Sequence, residues 1–296
     1  MSQVLCDETY ISAIANAIRS KNGLSQTYKL SEMASAIDNF PGKKMPKLKD
    51  FIEGHKYKYK EIATSGISKI RYGIFNYSSA YDSKVTGLTK ISIADCEYID
   101  FYAFDNCSNL SYADFPQCNY IGSYAFRSCI NLVHTNFPEC TSMGSSVFHR
   151  CISLKDVKFP KCISIASTAF VDCVSLTSVS FPVCTYIGNS AFDNCTSLIS
   201  IDFPECISIG TEAFYYCRSL SIANFLKCMD ISRYAFVNCQ SLKTLNLGTS
   251  NCVLRNSDAF TSVPLSTLSI CVPASYVDAY KVSTNWSYFS SRIFGV

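Results

Sequence analysis

The sequence lacks the long apolar runs and the charge clusters that are typical of membrane and nucleic-acid-binding proteins. Its 296 residues contain no uncharged apolar stretch of about 18 residues or more, so we predict no membrane insertion. The formal net charge is +3, and the 26 basic residues cluster only at Lys43–Lys49 and Lys56–Lys60. Because a nucleic-acid groove needs dense positive charge, we predict no nucleic-acid partner.

Motifs of common catalytic sites are also missing. The sequence has no glycine-rich phosphate loop, no H-E-x-x-H and no G-x-S-x-G. We therefore expect a protein that is not an enzyme and that needs no cofactor. The N-terminal residues Met1–Asp7 have neither the basic region nor the continuous apolar region of a secretory signal peptide. We therefore expect synthesis in the reducing cytosol.

Cysteine, in contrast, is abundant and regularly spaced. The chain has 17 cysteines, a number that would suggest disulfides in a secreted protein. The surrounding residues repeat every 22 positions, which is twice the cysteine spacing and indicates a repeat protein. Fourteen of the cysteines occupy every eleventh position without interruption: Cys96, Cys107, Cys118, Cys129, Cys140, Cys151, Cys162, Cys173, Cys184, Cys195, Cys206, Cys217, Cys228 and Cys239.

Each repeat predicts a strand followed by turns. In the repeat that begins at Cys173, Val179 and Phe181 alternate with serines, which predicts a short strand with one inward face. Pro182 ends this strand because proline has no N–H to donate to a sheet. Ile187–Gly188 predicts a corner, and Asn189–Phe192 predicts a helical or 3₁₀ turn that returns the aromatic ring to the core.

The recurring Phe-Pro, Ile-Gly-x-x-Ala-Phe-x-x-Cys and Ser-Leu elements resemble the BspA-like class of leucine-rich repeats over residues 62–272. One repeat unit buries too little apolar area to fold alone, so we expect the units to stack. The resemblance implies a right-handed, gently curved solenoid with short parallel strands and helical or 3₁₀ turns. It also implies adhesion to host or matrix proteins at a bacterial surface.

The ends of the repeat region are expected to deviate from the pattern because they must be covered. At the front, Ile70–Phe75 predicts a degenerate first repeat, followed by an insertion around Ser78–Lys84. Near the other end, Cys252–Leu254 is out of register and Leu265–Val272 predicts the last strand.

A C-terminal cap is predicted over residues 273–296. Within it, Ala274–Lys281 has the pattern of an amphipathic helix, and Trp286 is expected to pack over the final repeat.

The N-terminal segment 1–42 differs from the repeats and predicts a helical hairpin. Asp7 and Ser31 are suitable N-caps for two helices, and Lys43 to Glu61 reads as a linker. The segments Ile11–Gly23 and Leu30–Ile37 resemble a module near the N-terminus of tail and other structural proteins of phages of Gram-positive gut bacteria. This resemblance implies a virion-associated protein that is released by lysis, with a module that docks to a larger assembly or oligomerises.

Three interpretations of the cysteine columns are possible. Stacked strands place equivalent residues about 4.8 Å apart, which is within the Cα range of a disulfide, but parallel side chains rarely reach the required dihedral angle. A metal site would need C-x₂-C pairs or nearby histidines. Buried thiols that fill a narrow corner are the third interpretation and the one we favour.

The outward positions of the strands are the candidate binding surface, because a regular sheet face is where solenoids contact partners. His134 and Ser178 are expected on either side of Asp156, roughly 10 Å apart, so we expect no catalytic triad. Arg127, His149, Arg150, Tyr215 and Tyr216 are expected to protrude from the turns. The most varied polar patch on the strand face comprises Tyr112, Asp114, His134, Asn136, Asp156, Lys158 and Asp202. This patch is either an ordinary solvated sheet surface or a contact surface for a protein or glycan.

The sequence therefore predicts a non-enzymatic binding protein whose partner is a protein or glycan on a bacterial or host surface. We expect it to be a phage tail or other virion component that recognises a host. A bacterial surface or secreted adhesin and a cysteine-array metal or redox protein are the alternatives.

Overall fold

Stacked coils, each one repeat long, build a solenoid with a front and a back. The computed structural model describes residues 61–64, 68–73, 75 and 87–296. The helical hairpin predicted at 1–42, most of the linker predicted at 43–61 and the insertion around Ser78–Lys84 lie outside the described residues.

The front of the solenoid consists of parallel strands. Pairing joins them into sheets of four, two and five strands, and every described pair is parallel and joins neighbouring coils. The front strands are β1 (Glu61–Thr64), β3 (Lys90–Ile93), β5 (Tyr112–Asp114), β7 (His134–Asn136), β9 (Asp156–Lys158), β11 (Ser178–Ser180), β13 (Ser200–Asp202), β15 (Ile222–Phe225), β17 (Thr244–Leu247), β19 (Ser269–Val272) and β20 (Ile293–Gly295).

The back of the solenoid is a single sheet of nine two-residue strands. These are β2 (Lys69–Ile70), β4 (Tyr98–Ile99), β6 (Tyr120–Ile121), β8 (Ser142–Met143), β10 (Ser164–Ile165), β12 (Tyr186–Ile187), β14 (Ser208–Ile209), β16 (Asp230–Ile231) and β18 (Val253–Leu254). The corner predicted at Ile187–Gly188 is thus wrong, since Ile187 belongs to a strand. The residue after this strand is glycine because a side chain would not fit: a Cβ at Gly188 would lie 2.5 Å from the backbone nitrogen of Ser167 in the preceding coil.

The turns after the back strands are not helical, which corrects the prediction for Asn189–Phe192. Ser190 and Asn194 have φ angles of 52° and 59°, in the left-handed region. This geometry lets the N–H groups of Ser190, Phe192 and Asn194 each donate to a carbonyl of the next coil at 2.8 Å. Bonds to the next coil thus alternate with bonds inside the turn, such as the one from the Asp193 N–H to the Ser190 carbonyl at 3.2 Å. The predicted type of turn is present near the C-terminus, where the 3₁₀ helix Ser257–Phe260 takes the equivalent place.

The core contains two columns of stacked phenylalanine rings, all of them buried. Stacking along the solenoid axis gives each ring neighbours above and below, so every interior coil depends on both adjacent coils. The turn ladder, with 4.9–5.4 Å between adjacent ring centroids, comprises Phe104, Phe126, Phe148, Phe170, Phe192, Phe214, Phe236 and Phe260. The strand ladder, at 5.3–6.0 Å, comprises Phe115, Phe137, Phe159, Phe181, Phe203 and Phe225.

The 14 lattice cysteines are buried, as predicted, and are free thiols. They form two columns with different hydrogen bonds. In one, a thiol donates to the carbonyl of a phenylalanine one coil earlier, as Cys173 does to Phe148 at 3.1 Å. In the other, the acceptor is a carbonyl two residues later, as for Cys184 and Tyr186 at 3.2 Å. Burial raises the pKa of the Cys184 thiol to about 11.

The C-terminal end differs from the predicted last strand at Leu265–Val272. The strand β19 begins only at Ser269, and β20, which the sequence did not indicate, pairs with it as a further strand. The predicted helix is formed by the 3₁₀ helix Ala274–Tyr276 and the α-helix α1 (Val277–Val282). A further 3₁₀ helix spans Trp286–Arg292.

Trp286 packs against the last coil, as predicted. Its ring centroid lies 6.2 Å from that of Phe260, and its Nε1 donates to the carbonyl of Cys252 at 2.7 Å. Leu254 pairs with Ile231, which is 23 residues earlier in the chain instead of the 22 of the repeat. One inserted residue therefore accounts for the predicted loss of register at Leu254.

Candidate functional site

The front strands present two outward columns of side chains in register. Tyr112 pairs with His134, and Asp114 pairs with Asn136, on the adjacent strands β5 and β7. Of these four residues, Tyr112, His134 and Asn136 are exposed and Asp114 is half-buried. The structure therefore places these four members of the predicted patch on one surface.

Hydrogen bonds along the column of Ser92, Asp114 and Asn136, the second column, fix the position of the Asp114 carboxylate. Ser92 Oγ donates to one carboxylate oxygen at 2.7 Å, and Asn136 Nδ2 donates to the other at 2.8 Å. In the first column the rings of Tyr112 and His134 are tilted, with centroids 6.5 Å apart. The result is an acidic group held in place beside two exposed rings, which is a preorganised surface rather than a set of mobile side chains.

The remaining patch residues continue the same two columns but belong to other sheets. Asp156 and Lys158 lie on β9, which packs beside β7 but pairs with β11. Asp202 lies on β13, two coils beyond Lys158 and therefore roughly 10 Å away at the spacing of sheet strands. All three are exposed. Ser178 pairs with Asp156, so the acid lies between the serine and the coil of His134, as the sequence predicted.

A buried ion pair on the turns was not anticipated. Arg127, predicted to protrude, binds Asp105 with two hydrogen bonds of 2.7 Å. The Asp105 side chain is fully buried, whereas 30% of the Arg127 side chain is exposed. The two residues are one repeat apart and therefore lie in one column. This spacing could have predicted the pair from the sequence.

Carboxylates and a histidine lie close together on the same turns further along. His149 Nε2 is 3.8 Å from a carboxylate oxygen of Asp172, and burial lowers the pKa of His149. Burial raises the pKa of Asp193 to about 6, and the charges of Asp172 and Glu212 add to this shift. No group of three or more His, Cys, Asp or Glu residues in the described part of the chain is arranged to hold a metal ion.

Half-buried tyrosines form a further feature that the sequence pattern was not used to predict. Tyr98 stacks on Tyr120 with ring centroids 4.8 Å apart, and Tyr102 stacks on Tyr124 at 4.7 Å. The members of each pair are one repeat apart, so sorting the tyrosines by repeat position would have found both stacks.

Among the described residues, no helix is both long enough and apolar enough to cross a membrane.

Solved structures with similar coils are leucine-rich repeat proteins. One from Bacteroides ovatus ATCC 8483 is 26% identical over 64% of this chain and 61% of that chain, with a TM-score of 0.43. The Treponema pallidum leucine-rich repeat protein is 25% identical over 63% of this chain and 80% of that one, with a TM-score of 0.48. A leucine-rich cell surface protein from Faecalibacterium prausnitzii A2-165 is 17% identical over 82% and 84% of the chains, with a TM-score of 0.40.

The alignment with the B. ovatus protein thus spans less than two thirds of that protein. The comparison with curated proteins found no match. The sequence profile of the BspA type leucine-rich repeat region, in contrast, matches residues 74–183 and 163–285 in six copies. These ranges cover well over half of the sequence, and the chain belongs to the BspA type leucine-rich repeat family.

Proposed function

We propose that this repeat protein is a non-enzymatic binding scaffold whose front surface contacts a protein on a bacterial cell. The observation that carries the proposal is the ordered pair of outward columns, in which Asp114 is fixed by Ser92 and Asn136 beside the exposed rings of Tyr112 and His134. A carboxylate that is already oriented loses little side-chain entropy on binding. Aromatic side chains contribute strongly to protein interfaces.

The charges of this surface favour a partner with both positive and negative groups. Asp114 lies on β5 and Asp156 on β9, with β7 between them, and Lys158 follows Asp156 in the adjacent column. Mixed charges set the orientation and specificity of a partner more than they add affinity. We therefore expect the rings to provide most of the binding energy and the charges to select the partner.

Binding of the purified full chain to intact bacteria, measured over a concentration series, tests this function. Substitution of Tyr112 and His134 together by alanine should weaken binding by at least about tenfold, because interface rings are common hot spots. The matched control is Ser164→Ala together with Ser208→Ala, which changes two half-buried residues of the back strands β10 and β14 and should leave binding unchanged. Equal binding by both double variants would reject the front surface as the contact site.

We further propose that residues 1–42 attach the scaffold to a phage virion, so that the front surface recognises the host cell. The support is the resemblance of Ile11–Gly23 and Leu30–Ile37 to a module of phage structural proteins. Mass spectrometry of gradient-purified particles should detect the full chain, and deletion of residues 1–42 should remove it from the particles. Recovery in the cell-wall fraction instead would favour the alternative of a bacterial adhesin.

A further inference from the structure

The two tyrosine stacks lie at neighbouring positions of the same coils. Tyr98 and Tyr120 begin the back strands β4 and β6, and Tyr102 and Tyr124 follow four residues later in the turns. The planes within each pair are nearly parallel, at 19° and 8°. All four side chains are half-buried, so part of every ring remains accessible.

Both stacks end abruptly between the coil of Tyr120 and the next one. Tyr120 pairs with Ser142, and the repeat places Ser146 in the position after Tyr124. At the other end of the first stack, Lys69 Nζ lies 4.2 Å from the Tyr98 ring centroid. The next coil therefore has a serine instead of another ring at both positions, and Ser142 is exposed whereas Ser146 is buried. We call this feature, made of Tyr120, Tyr124, Ser142 and Ser146, the tyrosine step.

The surroundings of the tyrosine step are rich in hydroxyl and amide groups. Asn119 and Thr141 are exposed beside it, and Thr141 Oγ1 donates to the Asn119 carbonyl at 3.2 Å. Ser123 Oγ accepts a hydrogen bond from the Ser145 N–H at 3.0 Å. These groups can exchange hydrogen bonds with a ligand that carries many hydroxyls.

The guanidinium nearest the tyrosine step is already paired with a carboxylate. The Arg127 guanidinium lies 5.4 and 5.3 Å from the ring centroids of Tyr102 and Tyr124, and it binds the buried Asp105 carboxylate. A paired guanidinium offers little attraction to a polyanion. The arrangement therefore suits an uncharged ligand that combines an apolar face with hydroxyl groups.

We propose that the tyrosine step binds a neutral glycan, specifically a chain of β-linked glucose or N-acetylglucosamine. In these sugars the hydroxyls are equatorial and the C–H bonds cover the ring faces, so a sugar can stack on a tyrosine while its edge bonds to hydroxyls and amides. The exposed aliphatic residues Ile163, Ile207 and Met229, which would favour a protein partner, lie on later coils. This site is separate from the front surface and does not rest on the proposed function.

Isothermal titration of the full chain with cellohexaose and with chitohexaose tests the proposal. We expect at least one of the two to bind. Ser142→Tyr should weaken that binding by at least about tenfold, because the new ring would extend the stack and cover the face of Tyr120. This variant should remain folded, since a tyrosine occupies the same position in the two preceding coils. Tyr120→Ala should also weaken binding, whereas Tyr120→Phe should retain it.

Two control variants show whether a loss of glycan binding is specific to the tyrosine step. Tyr288→Ala removes a tyrosine that is 74% exposed near the C-terminus and should not change binding. Tyr112→Ala, on the front surface, should also leave glycan binding unchanged, so failure of the proposed function and failure of this proposal are distinguishable. The absence of binding to both oligosaccharides at millimolar concentration would overturn the proposal. Stronger binding by Ser142→Tyr, or binding of heparin in place of the neutral sugars, would overturn it as well.

Discussion

Replacement of Phe170 by alanine should destabilise the middle of the solenoid strongly. Phe170 is fully buried, and its ring stacks on those of Phe148 and Phe192 at centroid distances of 5.4 and 5.2 Å. A third ring, that of Phe181, lies edge to face against it, with the two ring centroids 6.0 Å apart. Removing a buried phenylalanine typically costs about 3–5 kcal/mol, and the contacts on both faces place Phe170 at the upper end of this range.

The assay is urea unfolding followed by circular dichroism, with hydrogen exchange measured by mass spectrometry. The matched control is Phe294→Ala on β20, whose side chain is 47% exposed and should cost less than about 1 kcal/mol. Because coils contact only their neighbours, loss of exchange protection should centre on the coil of Phe170 and on the adjacent ones. Equal unfolding midpoints for the two variants, or a uniform loss of protection, would refute the idea that the ladder carries the stability.

Three further outcomes are expected. Arg127→Ala should cost about 3–5 kcal/mol in urea unfolding because it leaves the buried Asp105 carboxylate unpaired, and an unchanged midpoint would contradict the role of this pair. Because the folded-state pKa of Asp193 is raised from 3.8 to about 6, the folded protein binds this proton more tightly than the unfolded chain does, so stability should fall as pH rises from 4 to 7. Asp193→Asn should flatten that part of the urea-midpoint profile, and an unaltered slope would assign it to other groups. Among the described cysteines, Cys271 is partly buried and the others are buried. In a Cys6→Ser background, Cys271 should therefore react first with a thiol reagent at pH 8, and the buried thiols should react only after denaturation. Cys271→Ser should remove the fast phase of this reaction.

The arithmetic of the repeat predicted most of the front of the molecule. The repeat spacing alone was sufficient to place Tyr112 beside His134 and Asp114 beside Asn136, because parallel strands of successive coils pair in register. The inward phenylalanines and cysteines followed from the same periodicity. The hydrogen bonds that hold Asp114 were not predicted, since they depend on side-chain orientation as well as on strand register.

The turns and the C-terminal end were predicted less well. Left-handed backbone angles are usually signalled by glycine, but the chain adopts them at residues such as Ser190, Glu212 and Tyr216. Bonding to the next coil compensates for this conformation, and that bonding exists only in the stacked structure. The strand β20 was missed because Ile293–Gly295 lies outside the repeat pattern and is too short to show an alternation of its own.

The ion pairs between coils have a consequence for assembly. Nearly identical units can be mistaken for one another during folding, so that a unit docks on the wrong neighbour and leaves one out. Glu139 pairs with Lys161 one coil later and Glu205 pairs with Lys227, whereas the intervening coil has Val183 at the same position. Omission of the coil of Lys161 would oppose Glu139 to Val183, and omission of the coil of Arg127 would oppose Asp105 to His149. Such pairs therefore favour the native order of the units over orders in which a unit is left out, even where an exposed pair adds little to the final stability.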